Sequence, residues 1–153
     1  RAVGPRRSLV VVLVILAAGH LWLAYPPLGV GYMTAVLPAL FLVAVGVALS
    51  FTPTTMVIAS AVPETHAGLA SGLINTAQQV GGAIGVAVTS SVLLTHSGTL
   101  LKEGKQFPAS WTSGTHWAFW VAVGIAVAGL LATVILISDK EMATVEAPVA
   151  APG

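Results

Sequence analysis

The chain has 153 residues, of which 56% are hydrophobic and only 7% are charged, with a formal net charge of +1. Soluble domains carry about a quarter charged residues, so this composition excludes an ordinary water-soluble domain and is typical of a membrane protein. The sequence contains no cysteine, which excludes disulfides and thiolate metal sites. The four histidines show no close ligand spacing, so we predict neither a metal site nor a cofactor.

Four uncharged apolar stretches are long enough to cross a bilayer, which takes about 18 residues or more. They are residues 8–25, 34–62, 67–95 and 116–137. Every Lys, Arg, Asp and Glu lies outside them, as expected because a charge at the bilayer centre is costly. We therefore predict an all-α, polytopic membrane helix bundle with four transmembrane helices over residues 1–138. The Ala- and Pro-rich residues 139–153 are expected to form a disordered cytoplasmic tail.

The basic residues predict the orientation of the chain in a cell membrane. With four spans, both termini lie on one side of the bilayer, and that side carries Arg1, Arg6, Arg7 and Lys140. The opposite side carries only Lys102 and Lys105. The positive-inside rule then places both termini in the cytoplasm. Because the sequence begins with Arg rather than Met, we also expect further chain upstream.

The first span is mostly aliphatic and carries one titratable residue, His20, about one turn inside its outer end. Two interpretations of this histidine remain open. Its ring could be bonded to water or backbone near the lipid headgroups, or it could line a cavity and relay protons.

The second span is long and carries a proline in its interior. Pro53 lacks an N–H and its ring displaces the carbonyl of Leu49, so we predict a kink there. Ser50 and Thr54 lie on one face, with Gly46 one turn earlier, so hydroxyl groups are available near the break. We predict a closely packed helix, and both a flexing role and ordinary packing remain open.

The third span separates into two sides at about 100° per residue. One side is bulky and aliphatic. The other is small or amide-bearing, and comprises Gly68, Ser71, Gly72, Asn75, Gln78, Gln79, Gly82 and Gly85. The pairs Gly68–Gly72 and Gly81–Gly85 have the GxxxG spacing of helices that approach closely. The amides need hydrogen-bond partners, which either neighbouring helices or a transported molecule and water would supply.

These residues also carry a family resemblance. The stretch PETHAGLASGLINTAQQVGGAIGVAV (63–88) closely resembles the penultimate helix of the fourteen-span drug:proton antiporters of the major facilitator superfamily. The stretch LFLVAVGVALSFTPTTMVIASAV (40–62) resembles the helix before it, and GPRRSLVVV (4–12) resembles the preceding loop and helix. The family commonly has an arginine where this chain has the uncharged Gln78. Any role that the family gives to the arginine charge is therefore not carried over to this position.

The resemblance covers residues 1–138 and implies that the chain forms the last four helices of such a transporter, as part of its C-terminal half. It implies efflux of a drug or metabolite coupled to proton influx. The implied partners are the lipid bilayer, the missing N-terminal helices of the same transporter, a small-molecule substrate and protons.

Two functions remain open at this point. The first is a C-terminal fragment of an efflux antiporter, which we expect not to transport alone because no carboxylate lies in any span. The second is a self-contained four-helix membrane protein that acts as an oligomeric assembly or a subunit. The sequence shows neither a catalytic dyad nor a basic cluster with interleaved aromatics, so we predict neither an enzyme nor a nucleic-acid partner.

Overall fold

The computed structural model describes residues 5–25 and 31–136. Within these ranges every regular element is helical, which confirms the predicted all-α class. The elements are α1 (Pro5–Ala24), α2 (Tyr32–Ala35), α3 (Leu37–Ala61), a 3-10 turn (Glu64–His66), α4 (Ala67–Lys102) and α5 (Phe107–Leu136). Four stretches of this helical structure are long and apolar enough to cross a membrane. The tail predicted at residues 139–153 lies outside the described residues.

The helices are not packed in the order of the chain. α1 lies between α3 and α5, and α5 in turn packs against α4. α3 and α4 are joined by a short connection but make few contacts with each other. The described residues therefore form an open layer in the order α3, α1, α5, α4, with α5, the last of the described helices, in an inner position.

The second span is divided into two helices. The short helix α2 ends at Ala35, and α3 begins at Leu37 with Pro38 in its first turn. A proline is tolerated at this position because the first N–H groups of a helix have no partner inside the helix. Pro53 lies in the interior of α3 and is buried.

The helices of the third and fourth spans, α4 and α5, extend beyond the apolar stretches that predicted them. The expected spans ended at 95 and resumed at 116, whereas α4 continues to Lys102 and α5 begins at Phe107. Hydropathy marks the end of an apolar segment, while a helix ends where its backbone hydrogen bonds end. Here the end is set by Gly104, whose φ of +83° favours glycine. Its N–H bonds to the Leu101 carbonyl and that of Lys105 bonds to the Leu100 carbonyl, the pattern of a Schellman motif.

Glycines mark the closest approaches between helices. A β-carbon added at Gly19 of α1 would lie 2.7 Å from Cγ2 of Val43 on α3. One added at Gly114 of α5 would lie 2.6 Å from the carbonyl oxygen of Leu93 on α4 and would also collide with Ser97. The backbones of α1 and α3, and of α4 and α5, thus approach closely because these positions have no side chain.

Candidate functional site

The predicted polar side of α4 is not covered by any of the other described helices. Asn75, Gln78, Gln79 and Ser71 are all exposed, and no hydrogen bond within the described residues involves the three amides. A β-carbon at any of five glycines would meet no atom within 4 Å, and these are Gly68, Gly72, Gly81, Gly82 and Gly85. Their proposed packing role therefore needs a partner other than the described helices.

The aliphatic side of the same segment is uncovered as well. Leu69 is 74% exposed and Leu73 is 68% exposed. Apart from Ala70, which is buried, both sides of the first half of α4 are thus largely exposed in the described residues. Two chemically different surfaces on one uncovered helix are suited to two different neighbours. The aliphatic surface is suited to lipid, and the amide surface is suited to protein or water.

The hydroxyls near Pro53 are used within their own helix. Thr54 Oγ1 donates to the Ser50 carbonyl at 2.7 Å, and Ser50 Oγ donates to the Val47 carbonyl at 2.7 Å. Neither hydroxyl therefore bonds to the carbonyl of Leu49 that Pro53 leaves without its usual partner. Gly46, one turn earlier, is buried, and a β-carbon there would lie 2.8 Å from the side chain of Leu16.

His20 lies between helices and faces a cavity. Its Nδ1 is 2.7 Å from the carbonyl oxygen of Leu16, and its ring centroid is 6.4 Å from that of Phe119 on α5. A cavity of about 280 Å³ lies beside it, where α1, α4 and α5 meet. The polar side chains of its wall are His20, Thr89, Ser90 and Thr115. The histidine thus combines features of both interpretations, because one nitrogen bonds to backbone while the residue lines a cavity.

Two further histidines lie close to this region, and the sequence interpretation did not connect them. His96 Nε2 is 3.1 Å from Ser113 Oγ, and its ring centroid is 5.6 Å from that of Trp117. The Nε2 atom of His116 is buried and has no hydrogen-bond partner within the described residues. The short connection between α4 and α5 could have revealed that His96 and Ser113 lie close together. Two helices joined by a short turn form a helical hairpin, in which residues at similar distances from the turn face each other. No group of three His, Asp or Glu side chains in the described ranges is placed to hold a metal ion.

Aromatic side chains cover the end of this region at the last residues of α1. The rings of Tyr25 and Trp120 meet edge to face, with centroids 5.2 Å apart. Together with Trp117 and His116 they line a second cavity of about 410 Å³. Aromatic residues with polar tips are enriched where a membrane helix meets the headgroups, so this end of the layer has the character of a membrane interface.

Apolar spanning helices, close glycine contacts and an uncovered amide surface define a polytopic helical membrane protein with polar groups inside its helices. A family model described as the Major Facilitator Superfamily matches residues 1–151. The chain therefore belongs to the major facilitator superfamily, a family of membrane transporters, and the resemblance drawn from residues 63–88 is confirmed.

Curated relatives of the chain are named for drug resistance or export. The chain is 34% identical over 134 residues to the puromycin resistance protein pur8 of Streptomyces alboniger, covering 86% of this chain and 27% of that relative. It is 48% identical over 58 residues to the multidrug resistance protein Stp of Mycobacterium tuberculosis, covering 38% of this chain and 11% of the relative. The cephamycin export protein CmcT of Amycolatopsis lactamdurans is 39% identical over 83 residues, covering 54% of this chain and 17% of the relative.

The chain thus spans less than a third of the length of each of these relatives. No solved structure matches it significantly.

Proposed function

We propose that the chain forms the last four helices of a proton-coupled antiporter that exports drug-like small molecules. The observation that carries this proposal is the amide and glycine side of α4, which no other described helix covers. Burying an amide side chain in hydrocarbon without a hydrogen-bond partner costs about several kcal/mol of free energy. This surface therefore needs further helices or a water-filled cavity beside it.

The coverage of the relatives supports the same proposal. The alignment with the puromycin resistance protein covers 86% of this chain but only 27% of that relative. The partners that we propose are accordingly the N-terminal helices of the same transporter, with protons, a small-molecule substrate and the bilayer. A self-contained four-helix assembly is not favoured, because the relatives with matching helices are all much longer than this chain.

In this arrangement α4 lines or borders the substrate path. Transporter sites lie near the bilayer midplane between structural repeats, where polar groups face a cavity. Gln79 and Asn75 are the residues that we propose for hydrogen bonds to substrate or to a facing helix. Pro53 and Gly46 belong to α3, at the other end of the layer, and we propose a packing role for Gly46 against Leu16.

A transport assay tests the proposal. The intact protein, meaning the longer transporter that we propose residues 1–153 to be part of, is reconstituted into liposomes with an imposed proton gradient. Movement of puromycin and of a cephamycin is followed, since two relatives are named for puromycin resistance and cephamycin export. We expect gradient-dependent transport by the intact protein and none by residues 1–153 alone. Transport by the four helices alone, or lack of transport of any drug-like compound by the intact protein, would contradict the proposal.

A matched pair of variants tests the role of the amide side. Gln79→Leu removes an amide from the polar side, while Leu73→Ala changes the aliphatic side without adding charge. We expect the first to reduce transport at unchanged protein yield, or to reduce assembly, and the second to leave both nearly unchanged. Equal effects of the two variants would mean that the two sides of α4 do not differ in function.

A further inference from the structure

The cavity of about 410 Å³ between the end of α1 and the first half of α5 lies at the boundary of the membrane. Beside α1 it is lined by Ala24 and Tyr25, the last two residues of the apolar stretch 8–25. On α5 its lining runs from Ser113 to Trp120, across the start of the apolar stretch 116–137. The cavity is therefore at the depth of the phospholipid headgroups, where the bilayer changes from hydrocarbon to water.

Three aromatic side chains form much of the cavity wall. The rings of Tyr25 and Trp120 are nearly perpendicular, with an interplanar angle of 87°, and Trp117 lies about one turn before Trp120 on α5. The side chains of Tyr25, Trp117 and Trp120 are 66%, 53% and 39% exposed, so a ligand outside the described helices can reach the rings. Because the faces of aromatic rings attract cations, this corner of rings favours an organic cation with apolar substituents.

The same wall also offers hydrogen-bond donors. A tryptophan indole N–H donates and never accepts, and no hydrogen bond among the described residues uses that of Trp117 or Trp120. The hydroxyls of Ser113 and Tyr25 can donate as well as accept. The Nε2 atom of His116 is buried and has no partner in the described ranges, which costs free energy unless a polar group lies beside it. The wall thus disfavours a hydrocarbon tail and suits a group rich in acceptor oxygens, such as a phosphate.

The charge of the wall restricts the occupant further. Among the described residues, no Asp, Glu, Lys or Arg lines the cavity. A phosphate alone or an ammonium alone would therefore lack a balancing charge in this partly desolvated place. A zwitterion brings both charges with it and has no net charge, so it suits a neutral wall that has both donors and ring faces.

We propose that this cavity binds the headgroup of a zwitterionic phospholipid from the leaflet on the side of the α4–α5 turn. The ammonium of the headgroup lies against the corner formed by Tyr25 and Trp120, and its phosphate accepts from the indole N–H groups. At about 410 Å³ the cavity falls in the range of about 300–1,000 Å³ that is usual for small ligands, so it holds the headgroup while the acyl chains remain in the bilayer.

Native mass spectrometry of the full-length protein that contains residues 1–153 tests the proposal. The protein in detergent is titrated with dioleoylphosphatidylcholine and with dioleoylphosphatidylglycerol, which has the same chains but an anionic headgroup. We expect Trp120→Leu to weaken binding of the first phosphatidylcholine about ten-fold and to change binding of phosphatidylglycerol by less than about two-fold. An equal loss for the two lipids would overturn the proposal, because the headgroup would then not be recognised.

Trp111→Leu is the matched control. Trp111 lies on the same helix and is 43% exposed, but it stacks on Phe107 and does not line the cavity. We expect this variant to bind both lipids like the unmodified protein. If it weakened phosphatidylcholine binding as much as Trp120→Leu, general anchoring by interfacial tryptophans would explain the result and the site would be wrong.

Two further variants separate the contributions of the wall. Trp120→Phe keeps a ring and removes the N–H, so we expect a loss of phosphatidylcholine affinity of about three-fold. Unchanged affinity in this variant would refute the contact between phosphate and indole. Tyr25→Leu removes the other ring of the corner and repeats the test if Trp120→Leu does not fold, as judged by size-exclusion chromatography and thermal unfolding.

A soluble competitor identifies the source of the headgroup. Glycerophosphocholine has the same headgroup without acyl chains, and we expect it not to displace phosphatidylcholine at equal concentration. Displacement would mean that the cavity takes a soluble ligand and not a membrane lipid. These measurements need no proton gradient and no transported drug, so their failure would leave the proposed export function standing.

Discussion

The Nη2 atom of Arg6 donates a hydrogen bond to the backbone carbonyl of Val134, at 3.0 Å. It joins the first turn of α1 to the last turn of α5, across 128 residues of sequence. The last carbonyls of a helix have no partner inside that helix, and a positive charge is favourable beside them. Arg6 thus caps a helix other than its own and fixes the relative position of the two ends.

Replacement of Arg6 should therefore destabilise the α1–α5 contact. We expect Arg6→Ala to lower the free energy of unfolding by about 1 kcal/mol, measured by thermal or denaturant unfolding in detergent. Arg7→Ala is the matched control, because it removes the same charge from the same end of α1 and Arg7 is exposed. An equal loss of stability in both variants would show that net charge, and not the cap, is responsible.

The contact between α4 and α5 should be sensitive to any side chain at Gly114. A β-carbon there would lie 2.6 Å from the Leu93 carbonyl oxygen, so Gly114→Ala must separate the two helices. We expect a cost of about 1–3 kcal/mol in the same unfolding assay. Gly124→Ala in the same helix has nothing within 4 Å and should be neutral or slightly stabilising, since alanine favours helix. A neutral Gly114→Ala would mean that α4 and α5 are further apart.

The glycines of the polar side of α4 should behave differently in the isolated chain and in the longer transporter that we propose. Gly72 and Gly82 have open space around them in this chain, so Gly72→Leu and Gly82→Leu should leave its folded yield in detergent unchanged. In the intact protein we expect both to reduce folded yield by separating α4 from the helix that covers it. Leu73→Ala serves as the control in both cases. Tolerance of both leucines in the intact protein would place this side of α4 away from other helices.

The orientation that the charges predict can be tested by cysteine labelling, because the chain has no native cysteine. Thr65 precedes α4 and Gln106 precedes α5, and both are exposed. We expect a membrane-impermeant maleimide added to intact cells to label Gln106→Cys and not Thr65→Cys. Permeabilised cells should label both, which controls for accessibility. The reverse pattern in intact cells would place the termini outside.

The sequence was sufficient to predict the all-α class and the four spanning helices, because hydropathy is a local property of the chain. It could not give the end of α4 at Lys102, which depends on the backbone conformation of Gly104. It also could not show that His20 and Phe119 lie together, since they are on helices far apart in the chain. Neighbours of this kind depend on which helices pack together, and lipid-facing leucines carry little information about that.

The inner position of α5 has a consequence for the synthesis of the protein. α5 is the element that connects α4 to α1 and α3, yet it follows all of them along the chain. Until the ribosome has delivered α5 to the membrane, α4 has almost no contact with the other described helices, and Ser97, which is buried beside Gly114 of α5, is uncovered. A stall or truncation before Phe107 would therefore leave His96 and Ser97 of α4 without their contacts with α5, a state that membrane quality control can detect and degrade.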